Sequence, residues 1–367
     1  MFSTIIYLSI MWLCGWCMLM NIRVLTLSTP RRSQSVSVII PARNEEANLR
    51  NLLPSLLNQS VKLHEIIVVN DDSEDRTEEV ARESGVTVVK PDFLPSGWLG
   101  KPWACWNGAN HSSGDLLLFL DADLTLEKDA IERLCSEWES RGGIISVQPY
   151  HQMNSASERL SSLFNMIVMA AMQSFTLFRK KPAGAFGPCL LIDRETYTKI
   201  GGHEGIKHQV LEHMEMGRVA LSQQVKVTCF AGYDAVYFRM YPEGLKSLFY
   251  GWCKSFALGS SKTPLMPLIL SVAWITGGIS LTLQLPFLVF QEFSEVVVWC
   301  IFYILYMIQI KLLMRRVGTF TFLTALWHPV HFLFFSMVYV WSFVLSAIKK
   351  EVKWKGREIS VSEKGDV

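Results

Sequence analysis

Four stretches of the chain carry no Asp, Glu, Lys or Arg: residues 1–22, 265–290, 296–310 and 317–348. A helix needs about 20 consecutive apolar residues to cross the hydrocarbon of a bilayer. The first, second and fourth stretches meet that length and the third nearly does. Residues 30–262 have the ordinary charge of a water-exposed domain. So large a charged segment does not fit a polytopic channel or transporter. The pattern predicts a transmembrane anchor over 1–22, a folded domain over 30–262, membrane-embedded helices over 264–348 and a polar, basic, disordered tail over 349–367.

The anchor reading competes with a cleaved signal peptide. Residues 1–22 lack a basic start and are longer than a usual signal core, so retention is expected. Arg23, Arg31 and Arg32 follow directly, which puts the folded domain in the cytoplasm of a multi-pass cell-membrane protein. Three further spans would leave the tail outside, whereas Lys349, Lys350, Lys353, Lys355 and Arg357 argue for inside. A break at His328-Pro329, or a bend at Gly277-Gly278 and Pro286, would resolve this, and the sequence leaves both open. Residues 160–178 are also free of charge, but spanning there would separate Asp123 from the acids at 212–215. Six of its nineteen residues are Ser, Asn, Gln or Thr, which predicts an interfacial amphipathic helix. A net charge of +2 without a basic stripe gives no sign of nucleic acid, and eight scattered cysteines, including Cys14-x-x-Cys17 in an apolar run, read as packing.

Within 30–262, short apolar runs alternate with helical patterns. VSVII (36–40), IIVV (66–69), VTVV (86–89), LLLFL (116–120) and IISVQ (144–148) read as strands. Residues 45–58, 75–84, 101–112 and 127–139 read as helices. Near-continuous apolar strands in this alternation predict an α/β fold, a mostly parallel Rossmann-like sheet covered on both faces. Ligands bind such sheets at the carboxyl ends of the strands. Three polar clusters fall there: Pro41 to Glu45, Asn70-Asp71-Asp72, and Asp121-Ala122-Asp123.

The third cluster is the most informative. Two carboxylates at alternate positions beyond a buried strand can share a hard divalent cation, or one can ligate while the other accepts from a ribose hydroxyl. Mg²⁺ or Mn²⁺ suits such oxygen ligands, keeps positions open for phosphates, and offsets charge on a departing diphosphate.

Residues 36–260 resemble the GT-A fold of the inverting family-2 glycosyltransferases. VSVIIPARNEE resembles their first strand and nucleotide loop, and EIIVVNDDSEDRT their second. Gly100-Lys101 followed by GDLLLFLDAD resembles the lysine-to-metal segment, and GAFGPCLLIDRETYTKIGG (184–202) the acceptor-side stretch. The resemblance implies that Pro41, Arg43 and Glu45 line the nucleotide pocket of a UDP-sugar and that Asp71 accepts from the base. It implies Lys101 near the diphosphate, Asp121 on ribose or metal, and Asp123 as a metal ligand.

Two departures narrow the resemblance. Where the family usually has Glu-Asp, with the Asp as general base, this chain reads Glu212-His213, so Glu212, His213 or Glu215 must serve or no base is needed. Residues 244–260 have a Gly-Trp-x-Lys pattern, with Trp252 and Lys254 on the acceptor side, similar to the bacterial carotenoid-acid glycosyltransferases. Those attach glucose from UDP-glucose to the carboxyl group of a thirty-carbon carotenoid in staphyloxanthin-like biosynthesis. A carboxylic acid, with an ordinary pKa near ~4, is ionised at neutral pH and needs no strong base. Lys254 or His213 would steer it, and the apolar helices would frame a portal for the polyene. A diacylglycerol or hopanoid acceptor, and a catalytically silent nucleotide-sugar-binding scaffold, are the alternatives.

Overall fold

The computed structural model describes residues 2–27, 34–178, 180–259, 263–348, 351–354 and 357–360. In chain order the elements begin with α1 (Phe2–Leu19), β1 (Val36–Ala42), α2 (Glu46–Leu57), β2 (Glu65–Asn70), α3 (Thr77–Glu83) and β3 (Thr87–Val89). Then come α4 (Gly100–His111), β4 (Leu116–Leu120), β5 (Leu124–Leu126), α5 (Ala130–Arg141), β6 (Ile144–Gln148) and β7 (Tyr150–His151). They are followed by α6 (Ser162–Ala171), β8 (Cys189–Asp193), α7 (Arg194–Lys199), α8 (Glu212–Ser222), β9 (Val227–Ala231) and β10 (Val236–Phe238). The remainder is α9 (Leu245–Gly259), α10 (Leu265–Gln284), α11 (Phe293–Met314), α12 (Phe322–Leu326), α13 (His328–Ile348), β11 (Glu351–Trp354) and β12 (Arg357–Ser360). Two compact units result. One comprises Met1–Asn21, Met153–Lys180 and Met240–Val367, the other Ile22–Gln152 and Lys181–Arg239. Residues 153–180 and 240–262, expected in the folded domain, thus group with the apolar helices.

The second unit is built on a seven-stranded sheet of order β3-β2-β1-β4-β8-β6-β9. The β1–β2, β2–β3, β1–β4 and β6–β9 pairs are parallel, while β8 runs antiparallel to both β4 and β6. This is the expected mostly parallel α/β fold, and all five expected strands lie in it. The register of β1 pairs Ala42 with Asn70 and Ile39 with Phe119, so the strands end near one edge and deliver their loops together. Every residue of β4 is buried, as is β1 apart from half-buried Pro41, because helices cover both faces. Helix α4 lies so close to β1 that a Cβ on Gly108 would come within 2.4 Å of Ile39 Cγ2. β8 was missed in the sequence because it carries no turn or period signal of its own. A smaller sheet, β5-β10-β7, completes the unit.

The first unit is helical. Phe2–Leu19, Leu265–Phe290 and Phe293–Met314 are each long and apolar enough to cross a membrane. The charge-free stretch 296–310 is therefore part of a longer helix that also holds Glu295 and Lys311. The stretch 317–348 is divided between α12 and α13 at Trp327, where the expected break at His328-Pro329 falls, and its apolar part His328–Val344 is shorter than the other three. Gly277 and Gly278 do not bend α10; they let it be approached. A Cβ at 277 would lie 2.2 Å from Tyr306 Oη and one at 278 would lie 2.4 Å from the Phe332 ring. Small residues serve this purpose where hydrophobic exclusion cannot draw helices together. Polar links complete the contact: Gln309 accepts from Trp274 Nε1 at 2.8 Å and donates to the Trp12 carbonyl at 2.8 Å, and Tyr306 Oη donates to the Trp274 carbonyl at 3.1 Å.

Residues 160–178 differ from expectation. Helix α6 has ten residues, about 15 Å at 1.5 Å per residue, too short to span. Ser162, Phe164 and Asn165 are buried with the apolar side chains, so α6 is an internal helix of its unit and not an amphipathic one with a wet face. Asn165 bonds locally, its Nδ2 donating to the Ser161 carbonyl at 3.5 Å, which a hydropathy pattern does not distinguish from solvation. The expected disordered tail contains β11 and β12, paired antiparallel. Arg31, Arg32, Arg179, Lys349, Lys350 and Lys355 lie outside the described residues.

Gly278→Leu is expected to lower the stability of the detergent-solubilised protein by roughly 1–3 kcal/mol, the usual cost of overpacking. Thermal unfolding followed by size-exclusion chromatography measures this, and an unchanged midpoint would contradict the close α10–α13 contact.

Candidate active site

The loops after β1 and β2 are laced together. Arg43 Nη1 donates to the Asp71 carbonyl at 3.0 Å and lies 3.6 Å from the exposed Asp72 carboxylate. The Asp71 amide returns a bond to the Ala42 carbonyl at 2.8 Å. Asn44 and Asp72 adopt positive φ, 53° and 58°, a conformation that Asn and Asp tolerate best among residues with a Cβ. Their strain is offset by local bonds: the Glu74 amide donates to Asn44 Oδ1 at 2.8 Å, and the Asn44 amide to Ser73 Oγ at 3.0 Å. The Glu45 amide donates to Thr77 Oγ1 at 2.8 Å, while the Glu45 carboxylate accepts from Asn48 at 2.6 Å. Burial would raise the Asp75 carboxyl, but bonds from the Thr77 hydroxyl and the Glu46 and Thr77 amides hold it below the ordinary value. Pro41, Arg43, Glu45 and Asp71 therefore stand at one sheet edge.

Lys101, in the first turn of α4, is the centre of the site. Its Nζ lies 2.7 Å from Asp121 Oδ1, just beyond β4, and 2.8 Å from Glu212 Oε1, the first residue of α8. Burial opposes its charge, yet Asp121 and Glu212 hold the ammonium well above its ordinary value. Burial would likewise raise Glu212, and Lys101 overcomes this to hold the carboxyl below its ordinary value. One cation does not balance the acids gathered here. Asp123 is pushed up to about 7 by burial, with the Asp121 and Glu45 charges adding to it. A pair of carboxylates with uncompensated negative charge is a donor set that fits a hard divalent cation.

His213 has surroundings other than those expected. It is buried, its Nδ1 is 2.5 Å from the Gly187 carbonyl, and its Nε2 is 3.3 Å from His203 Nε2. Both ring nitrogens are engaged inside the protein, so His213 presents neither a base nor an anion-binding edge to an acceptor. Glu215 is half-buried one turn on, 3.6 Å from Arg218. Cys105, His203 and His213 form a buried group whose ligand atoms lie within 4.8 Å of one another, and sequence reasoning did not find it. His203 and His213 are ten residues apart with no spacing signal, and only the return of the chain from α7 to α8 joins them.

The other two expected residues belong to the helical unit. Trp252 is buried, donates from Nε1 to Ser161 Oγ at 2.9 Å and stacks on Phe164 with centroids 4.8 Å apart. It is a packing residue of that aromatic cluster and not an exposed contact for an acceptor. Lys254 is half-buried, and burial lowers its ammonium to about 8.

The fold is similar to that of the mannosyltransferase PcManGT from Pyrobaculum calidifontis, solved with GDP-Man and Mn²⁺. The TM-score is 0.55 at 13% identity, covering 92% of this chain and 96% of that one. The family model for glycosyl transferase family 2 matches residues 37–201. The chain belongs to that family. It is 36% identical over 336 residues, 90% of its own length and 89% of the relative's, to the 4,4'-diaponeurosporenoate glycosyltransferase of Staphylococcus aureus strain USA300. The same enzyme of strain MRSA252 matches with the same identity and coverage.

The raised Asp123 pKa gives a testable sign. The folded value, about 7, exceeds the ordinary ~3.9, so the folded state holds the proton more tightly and ionisation costs stability. In chelator, Asp123→Asn is expected to stabilise the protein relative to wild type by an amount that grows from about pH 4 to about pH 7 and then levels off. Thermal melts across that range test it; a difference independent of pH would contradict the crowding of acids.

Proposed function

We propose that the chain is a multi-pass membrane enzyme that transfers a hexose, glucose, with inversion from a UDP-sugar to the carboxyl group of a thirty-carbon carotenoid acid. The observation that carries this reading is the half-buried Asp121–Lys101–Glu212 ion pairing beside Asp123, in a chain similar over nine-tenths of its length to enzymes named for a carotenoid acid. Arg23 after α1 supports a cytoplasmic catalytic domain, and the three apolar helices support a location where a polyene dissolves.

In this reading Pro41, Arg43, Glu45 and Asp71 receive the nucleotide, with Arg43 fixing the loop that carries Asp71. Asp121 and Asp123 would hold Mg²⁺ or Mn²⁺, which supplies positive charge for the departing diphosphate. Lys101 bridges Asp121 and Glu212 and holds the Glu212 carboxyl below its ordinary value. An acceptor carboxylate oxygen forms a bond to the anomeric carbon as the bond to the phosphate oxygen breaks, and UDP leaves with that electron pair. No proton is removed, because the acceptor is already an anion at neutral pH. This suits a site where Glu212 is bound to an ammonium and His213 is turned inward. An alcohol acceptor would require a base that neither supplies.

Membranes containing the protein, incubated with UDP-[14C]glucose and a thirty-carbon carotenoid acid, are expected to yield the glucosyl ester by mass spectrometry. The matching carotenoid alcohol should give no product. Asp121→Ala, Asp123→Ala and Lys101→Ala should each lose about a hundredfold or more of the rate, the scale seen when one charge-stabilising group is removed. Transfer to the alcohol at an equal rate would refute the proposed acceptor class, and full activity of the doubly substituted Asp121, Asp123 variant in chelator would refute the site.

A further inference from the structure

The histidines beneath Lys101 form a chain of bonds whose protons can be assigned by elimination. The His203 amide donates to Tyr197 Oη at 3.1 Å, so that oxygen is an acceptor and its hydrogen is directed to His203 Nδ1 at 2.9 Å. His203 must then carry its proton on Nε2 and donate it to His213 Nε2 at 3.3 Å. His213 in turn carries its proton on Nδ1 and donates to the Gly187 carbonyl. Every polar atom of the chain is paired, and Phe119 packs its ring against both imidazoles with centroids 4.8 and 5.8 Å away. Reading the two histidines as a metal site with Cys105 requires lone pairs on both Nε2 atoms. His203 Nδ1 would then carry the proton and Tyr197 would lose the acceptor of its own hydroxyl. The burial of Cys105 also pushes its thiol well above the ordinary value, away from the thiolate a metal would take.

The end of this chain is a working loop. A Cβ on Gly217 of α8 would lie 2.3 Å from the Ala185 nitrogen, so the 184–188 segment rests directly on α8. One residue beyond Gly187, the Pro188 carbonyl accepts from the Asp121 amide at 2.9 Å. At the other end, His213 follows Glu212 in the first turn of α8. We propose that Tyr197 and His203 are positioning residues for transfer: they fix His213 in the tautomer that donates to Gly187, and so hold the 184–188 segment against Asp121 and Glu212. The proposal rests on the reading of those carboxylates as the transfer site. It assigns a role to the family's altered base position, where a neutral, directional donor replaces an acid and spends both its nitrogens on geometry.

Two measurements test this on the full chain. In detergent, ¹⁵N-histidine spectra near neutral pH, with His203→Gln and His213→Gln used for assignment, are expected to give His203 protonated on Nε2 and His213 on Nδ1. Both protonated on Nδ1, as metal ligation demands, or either in rapid exchange between tautomers, would overturn the proposal without reference to activity. In transfer assays, His203→Leu should lower kcat about tenfold, the scale for losing a buried donor. His203→Gln, whose amide can still donate to His213, should restore it to within about threefold of wild type. Equal impairment of both, or of neither, would overturn it. Retained tautomers with no transfer by wild-type protein would instead fault the proposed function.

Discussion

The site depends on one electrostatic fact: a single half-buried ammonium joins two carboxylates carried by different elements of the sheet unit. Asp121 leaves β4, Glu212 opens α8, and Lys101 stands in the first turn of α4 between them. The interaction therefore fixes the relative placement of three elements that share no strand pairing with one another. It also makes the site inherently short of positive charge. With Asp123 and Glu45 added, the acids outnumber Lys101, and burial first, with the Asp121 and Glu45 charges adding to it, raises Asp123 to about 7.

The loops around this pairing are rigid for a different reason. Positive φ at Asn44 and Asp72 costs on the order of 1 kcal/mol or more each, and it persists because the side chains of Asn44, Ser73, Asp75 and Thr77 cross-link the β1 and β2 loops. Strain held by a hydrogen-bonded surround gives a pocket that need not order itself when a ligand arrives. Arg43 is part of the same lacing through the Asp71 carbonyl.

The fold was legible because buried parallel strands announce themselves. Continuous apolar runs such as LLLFL, ended by acids, place both the strand and its functional tip. The polar clusters at those tips were legible for the same reason, since Pro41 to Glu45, Asp71 and Asp121 each adjoin the end of a strand, whereas Lys101 was placed only by the family resemblance. What was not legible depended on chain returns. His203 gives no signal until α7 and α8 bring it to His213, and β8 pairs between β4 and β6 across more than sixty residues of sequence. Trp252 was read from the Gly-Trp-x-Lys resemblance as an acceptor contact, and the 160–178 stretch from composition as a surface facing lipid. Composition reports that a segment is apolar, not what covers it, and both are covered by aromatic neighbours such as Phe164, Phe256 and Phe335.

The Glu-His pair at 212–213 shows how a small substitution can change what a site asks of its substrate. A carboxylate at 213 would lie among the buried surroundings of Glu212, Asp121 and Lys101, and one lysine could not compensate three acids there. Imidazole removes that charge. Burial keeps it neutral by pushing its pKa below the ordinary value, with Lys101 adding to the effect. Its two nitrogens are then available for direction, one toward Gly187 and one toward His203. A neutral site wall tolerates an anion approaching Lys101 better than a charged one does, because like charges in a poorly solvated setting repel strongly. The exchange thus removes one negative charge from beside the Asp121–Lys101–Glu212 pairing and spends both imidazole nitrogens on holding the chain in place.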